Sequence, residues 1–188
     1  QDKFGFQFAV TNEAEIFKND EINAVLIATP HSTHAELTNA ALSAGKHVLV
    51  EKPLGLNRKQ IKHVVEARNR SGSFFLVGFN RRFAPLSLKM REHLNKIPGP
   101  KVLLLRVNAG QVPKGSWQND PQEGNGRLLG EICHFVDLAR YLIGTPIKIV
   151  KAAATGVTHG SCDNLTATLE FSDGSLATIV YTSKGDTA

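Results

Sequence analysis

Lys52 stands just past an apolar run that ends at Val50, and Pro53 follows it at once. A lysine can take and return protons near neutral pH where a desolvated or electropositive site draws its pKa down. After a strand it can equally be an ordinary surface residue, and the local pattern leaves both readings open. Glu131, His134 and Asp137 recur every third residue inside an apolar periodicity. On an α-helix that spacing makes one polar stripe, with neighbours about 5–6 Å apart at Cβ. The histidine of such a stripe can serve chemistry or simply hydrogen-bond within the fold. Arg81 and Arg82 offer guanidinium forks that fit a phosphate or a carboxylate, or lie on the surface as solvated charge. His31 and His34 lie three apart, but with Cys133 or His134 they supply no third ligand at convincing spacing, so no metal is expected.

Two strands and a helix must position Lys52. Residues 24–28 are apolar without alternation, as in a strand covered on both faces, and the run stops at Thr29-Pro30. A helix begins between Ser32 and His34, carries Ala35, Leu37, Ala40, Ala41, Leu42 and Ala44, and stops at Gly45. Residues 47–50 are then a second strand, parallel to the first because a helical crossover separates them. Ligands of open α/β sheets sit beyond the carboxyl ends of the strands, so Thr29-Pro30-His31 and Glu51-Lys52-Pro53 are expected at one edge.

Around this unit, residues 6–10 read as a partial strand and 13–19 as a helix capped by Thr11 or Asn12. Asn57 caps a helix over 58–71 with Ile61, Val64, Val65 and Ala67 inward, and 74–79 is a third parallel strand. A helix over 85–95 leads to a strand over 101–108. A Gly-, Pro- and Asn-rich loop follows at 110–126, holding Trp117, which can plug the loop onto the sheet or stack on a ring. A helix over 127–143 and strands over 147–155, 163–171 and 175–183 complete the chain, with Asp173-Gly174 as a hairpin turn. The fold class is α/β: a partial doubly wound parallel sheet in residues 1–83, then an α+β domain with a mainly antiparallel sheet in 84–188.

Composition excludes several functions. The net charge of +5 is dispersed and no nucleic-acid motif is present, so no nucleic-acid partner is expected. Cys133 and Cys162 are far apart without metal-type spacing, which argues against a disulfide framework and for a reducing, cytoplasmic location. The first residues, Gln1-Asp2-Lys3-Phe4, lack a signal-peptide hydrophobic region, and no apolar run approaches a membrane span.

Three blocks occur in order: ATPHSTHAELTNAALSAGKHVLVEKPL at 28–54, VGFNRRFAP at 77–85, and Trp-x-x-Asp-Pro at 117–121 leading to Cys-His-Phe-Val-Asp at 133–137. Through them the chain resembles the glucose–fructose oxidoreductase / inositol dehydrogenase family of NAD(P)-dependent dehydrogenases, over most of its length. The resemblance implies a Rossmann-type first domain, NAD or NADP as cofactor, and the secondary alcohol of a sugar, cyclitol or nucleotide sugar as substrate. It implies that Lys52 is the catalytic acid/base and that His134 binds the substrate hydroxyl, with Asp137 and Trp117 also on the substrate side. Thr29, Pro30 and His34 match positions that line the nicotinamide, and Glu51, Lys52, Pro53 and Arg82 are further cofactor-side candidates. It also implies a homo-oligomer built through the face of the second sheet.

The family carries an aspartate four residues before the histidine, where this chain has Gly130. Glu131 is the candidate replacement, one residue later and one carbon longer, leaving an α-helix about 100° away. Two alternatives follow: a glycoside-cleaving enzyme of the same fold that oxidises transiently, and a non-catalytic binding or assembly module. A Gly-x-Gly-x-x-Gly turn is expected before residue 24 and is absent; the glycines of 124–130 follow a polar loop rather than a strand. The chain is therefore expected to be part of a longer protein. By itself it should be inactive, bind NAD(H) negligibly and self-associate through a strand edge or an open sheet face.

Overall fold

Short apolar runs joined by helical crossovers give the first half of the chain three parallel strands, β1 (Ala24–Ile27), β2 (His47–Val50) and β3 (Phe75–Val77), in the order β1-β2-β3. This computed structural model describes residues 3–113, 115–117, 120, 126–155 and 163–184. Helix α1 (Glu13–Phe17) is capped by the Asn12 side chain, which accepts from the Ala14 amide. Helix α2 (His34–Ser43) is entered through a 3-10 turn at His31–Thr33. Helix α3 (Arg58–Ser71) starts at Asn57, whose side chain accepts from the Gln60 amide, and stops at Gly72 with φ +66°.

Three expectations for this unit are corrected. Among the described residues the strands are covered on one face only: Ile27, Val48 and Val50 pack with Ala35, Ala41 and Leu42 of α2 and Val64 and Ala67 of α3. Successive strand side chains point to opposite faces, so Leu26, Leu49 and Leu76 emerge on the other side, at 67%, 41% and 50% exposure. Residues 6–10 form no strand, and Phe6 and Phe8 are exposed. A strand exists only through its ladder, and among the described residues β1 pairs with β2 alone. The inward stripe of α3 is also narrower than expected, since Ile61 and Val65 are exposed while Val64 and Ala67 are buried.

The chain divides between Gly78 and Phe79 into two compact units. The sequence reading put the boundary after Phe83, but the 3-10 turn Asn80–Phe83 packs within the second unit, where Arg82 bonds Asp137 and Arg81 lies over the Phe135 ring. The second unit contains α4 (Pro85–Asn95), β4 (Val102–Asn108), α5 (Cys133–Ile143), β5 (Ile147–Thr155), β6 (Asn164–Phe171) and β7 (Leu176–Thr182). Its sheet has the order β4-β7-β6-β5, with β4 and β7 parallel and the other two pairings antiparallel. Ile132, Phe135, Ala139 and Ile143 of the helix pack on Leu165, Ala167, Leu169, Ala177, Ile179 and Tyr181 of the sheet. Residues Leu128–Ile132 wind as a π turn rather than as the first turn of an α-helix. The expected spacing of polar residues by three therefore holds only from Cys133 onward.

Candidate active site

Lys52 lies, half-buried, just past the carboxyl end of β2, as the sequence indicates. Its flanks are fixed by backbone bonds: the Glu51 amide donates to the Ile27 carbonyl (2.8 Å) and the Gly78 amide to the Val50 carbonyl (2.7 Å). The Lys52-Pro53 peptide is cis. Beyond it, the Leu56 amide donates to Gln60 Oε1 (2.7 Å). Gly78 leaves room for the neighbouring acid, since a Cβ there would lie 3.1 Å from Glu51 Oε2 and 3.3 Å from Glu51 Cα.

The loop after β1 reaches the same edge of the sheet. Thr29 and Pro30 are exposed. The Thr33 hydroxyl donates to the Pro30 carbonyl (2.8 Å), which leaves the Thr29 hydroxyl to donate to Thr33 Oγ1 (2.6 Å). His34, expected along the nicotinamide, is instead 1% exposed. Its Nδ1 lies 2.8 Å from the Pro53 carbonyl oxygen and its Nε2 lies 2.8 Å from that of Thr29. Both ring nitrogens thus face the backbone of this unit.

In the second unit the three polar helix residues have separate partners. Glu131, on the π turn, accepts a hydrogen bond from the Tyr181 hydroxyl on β7 and pairs with Arg127 Nε at 3.4 Å. Arg127 is 5% exposed and also donates to the carbonyls of Gly110 (2.5 Å) and Ala109 (3.3 Å). Burial, and then the bond to Glu131, push the Tyr181 phenol above its ordinary range. His134 is buried, with its ring edge-on to Phe79 at 6.1 Å between centroids. The thiol of the adjoining Cys133 donates to the Leu129 carbonyl (2.8 Å).

Asp137 and Arg82, read from the sequence as substrate-side and cofactor-side residues, meet each other. Arg82 donates Nε to Asp137 Oδ2 (2.6 Å) and Nη2 to Oδ1, a bidentate pair. The hydrogen bond to Asp137 raises the Arg82 pKa above its ordinary value, against the opposing effect of burial. Trp117 is 46% exposed. Residues 118, 119, 121–125 and Cys162, which include part of the Trp-x-x-Asp-Pro block and of the glycine-rich stretch, lie outside the described residues. No group of three or more His, Cys, Asp or Glu among the described residues could hold a metal, and no helix among them is long and apolar enough to cross a membrane.

Sequence reasoning missed Arg127, Tyr181 and Gly78. The i,i+4 spacing of Arg127 and Glu131 was a readable signal. Tyr181, fifty residues from its carboxylate partner, carried none.

Parallel strands presenting a lysine and a threonine-proline loop at their carboxyl ends, followed by a helix-backed mixed sheet, define a dinucleotide-binding type of α/β domain joined to an α+β domain. The chain belongs to the GFO/IDH/MocA oxidoreductase family: residues 1–79 match its profile described as "Oxidoreductase family, NAD-binding Rossmann fold", and 101–185 match the GFO/IDH/MocA C-terminal domain. It is 28% identical over 185 residues to a myo-inositol 2-dehydrogenase of Thermotoga maritima, covering 95% of this chain and 55% of that protein. It is 36% identical over 138 residues to an inositol 2-dehydrogenase of Saccharopolyspora erythraea, covering 71% of this chain and 38% of that one. The crystal structure of a probable dehydrogenase from Thermotoga maritima superposes with a TM-score of 0.85 at 28% identity, over 98% of this chain and 57% of that one. The fold is also that of a levoglucosan dehydrogenase solved with NADH and levoglucosan, with a TM-score of 0.88 at 24% identity, over 99% and 54% of the two chains. The chain spans about half the length of the curated relatives it matches.

Proposed function

We propose that the whole protein transfers a hydride between a secondary alcohol of a sugar, cyclitol or nucleotide sugar and NAD or NADP. The observation that carries this reading is the fixed placement of Lys52 past the carboxyl end of β2, at one edge with the exposed Thr29 and Pro30. These residues fit the nicotinamide half of a dinucleotide, which lies beyond strand ends in such sheets. When bound, the coenzyme supplies the hydride acceptor. Lys52 takes the hydroxyl proton of the alcohol as its carbonyl forms, and returns it in the reverse direction. His134 binds the substrate hydroxyl, and Glu131, held by Arg127 and Tyr181, is the carboxylate of the second unit's contribution. Trp117 offers an exposed ring to a sugar face. The relatives named for myo-inositol and levoglucosan favour this substrate class.

The outward face of the second sheet carries Val102, Leu104, Ile149 and Leu176, all at least 40% exposed. Its partner in this reading is a second copy of the chain, and light scattering on the full-length protein should find an oligomer. A cytoplasmic location accords with the same reading.

The test is turnover of myo-inositol, levoglucosan and D-xylose by the full-length protein with NAD or NADP. With whichever probe reacts, Lys52→Ala should cut turnover by about 10²–10⁴-fold and leave coenzyme affinity nearly unchanged. Near-normal turnover by that variant would sink the assignment. Cleavage of a chromogenic glycoside without net oxidised product would move the reading to the glycoside-cleaving alternative. Coenzyme binding without turnover of any kind would favour the assembly module.

A further inference from the structure

His34 is almost wholly enclosed, yet it lies at the first turn of α2 between the two loops that carry the candidate chemistry. Its ring reaches the carbonyl of Pro53, one residue past Lys52, with one nitrogen, and the carbonyl of Thr29 with the other, each at 2.8 Å. The backbone before Lys52 is already pinned at residues 50 and 51 by the ladder. The imidazole pins it on the other side, at 53, so that Lys52 has a fixed backbone on both flanks. The same ring also lies against the Thr29 carbonyl, so its bulk spaces the lysine loop from the Thr29-Pro30 loop whichever carbonyl its N–H bonds. Carbonyl oxygens only accept, so a neutral imidazole, with its single N–H, bonds one of them at a time and only the doubly protonated ring bonds both.

We propose that His34 is a positioning residue for Lys52, a link between the acid/base loop and the Thr29-Pro30 loop rather than a contact to coenzyme. This inference rests on the reading of Lys52 given above. Small displacements of a reacting group are expensive, with a shift of about 1 Å able to cost about 10²-fold in rate. Glutamine in place of His34 keeps approximate bulk and two N–H donors, but both sit on one nitrogen, which cannot face the Pro53 and Thr29 carbonyls as the two separate ring nitrogens do.

The test is a double-mutant cycle in the full-length protein with the probe substrate it turns over, using His34→Gln, Lys52→Ala and both together. His34→Gln should lower kcat by about 10–100-fold while the Kd for NADH stays within about threefold. Introduced into Lys52→Ala, it should cost less than about twofold more, because a residue that acts through the lysine has nothing left to position. An unchanged kcat in His34→Gln, with Lys52→Ala inactive, overturns the positioning role and leaves the lysine reading intact. Equal fold losses in both backgrounds overturn it as well, since they mean the ring serves the fold alone. A near-normal Lys52→Ala overturns the lysine reading and this inference with it. The wild-type protein gives a readout that needs neither turnover nor a folded variant: nitrogen-proton NMR of the His34 ring should show a slowly exchanging, hydrogen-bonded N–H. A ring with no protected N–H overturns the link.

Discussion

The lysine loop of the first unit and the helix entry of the second present candidate proton-handling groups by opposite means. Residues 50–56 are held by bonds to backbone: ladder amides at Glu51 and Gly78, the His34 ring on Pro53, and Gln60 on the Leu56 amide. Around Glu131 and Asp137 the holding bonds are between side chains; besides the Arg127–Glu131 pair four residues apart, they join residues fifty and fifty-five positions apart. Backbone acceptors need a shaped turn, which proline, glycine and capping residues encode locally. Charge partners need the finished tertiary fold. The first arrangement should tolerate loss of a side-chain charge, and the second should not.

The sharpest way to break that contrast is to remove one member of the Arg82–Asp137 pair. The Asp137 side chain is 9% exposed and that of Arg82 is 32% exposed, so the pair is mostly withdrawn from water. Asp137→Ala leaves a guanidinium with neither of its hydrogen bonds, and the loss should be about 2–4 kcal/mol, toward the lower end of buried pairs because Arg82 keeps some solvent. A shift in the urea midpoint at unchanged slope would measure it. A loss below about 0.5 kcal/mol, the size of an exposed pair, would mean that charge does not hold this helix.

The matching cut in the first unit is steric. A Cβ at Gly78 would meet Glu51 Oε2 at 3.1 Å, Cδ at 3.2 Å and Cα at 3.3 Å. The carboxylate end can swing away, but the Cα belongs to backbone that the ladder pins. Gly78→Ala should therefore cost about 1–2 kcal/mol, and it should lower turnover through the adjacent Lys52 more than Glu51→Gln does. Equal turnover in the two variants would show that Gly78 serves the strand end and not the loop.

What was legible in the sequence divides along the same line. The order β1-α2-β2-α3-β3, the Asn57 cap and the place of Lys52 all follow from residues within a few positions of one another, and all were readable. The face of β1 to β3 that the described residues leave open was not, because an unbroken apolar run reads alike whether or not a layer lies over it. Nor was the π turn at Leu128–Ile132: apolar spacing by three and four cannot reveal one residue wound differently. The Arg82–Asp137 pair was hidden in another way. Both residues were picked out, for a cofactor and a substrate, but only the fold brings each to the other.

Tyr181 tests how far the charge-held region depends on a neutral member. Its hydroxyl donates to Glu131, and its ring is packed in the core beside Phe135. Tyr181→Phe keeps the ring and removes the bond, which should cost about 1–2 kcal/mol at neutral pH because Arg127 still faces the carboxylate. The folded phenol ionises above its ordinary range. Its contribution is thus complete below about pH 10 and falls away as the pH rises beyond the phenol's unfolded pKa. The variant should lose less stability than wild type between neutral pH and strongly alkaline pH, and parallel curves in thermal melts would refute that dependence.

The smallest effect is expected at Asp173, where the second unit contains a locally encoded turn of its own. The Asp173 carboxylate accepts from the Ser175 amide (3.0 Å), the Ser175 hydroxyl (2.9 Å) and the Thr145 hydroxyl (3.1 Å), beside Gly174 at φ +86°. The backbone bond from Ser175 comes first among the causes that hold its pKa below the usual carboxylate value. A lowered folded pKa gives stability that is complete above the unfolded value, about 3.9, and is lost as the pH falls through the folded one. Asp173→Asn keeps an oxygen for the Ser175 amide and loses the charge and the second acceptor. Its melting temperature should therefore lie slightly below wild type at neutral pH, and the two should converge as the medium is acidified below the wild-type carboxyl's folded pKa. A difference that persists in acid would mean that shape rather than charge holds the turn, and would place this hairpin with the lysine loop among the backbone-held regions. Convergence would make the division one between local and distant partners within each unit, rather than between the units themselves.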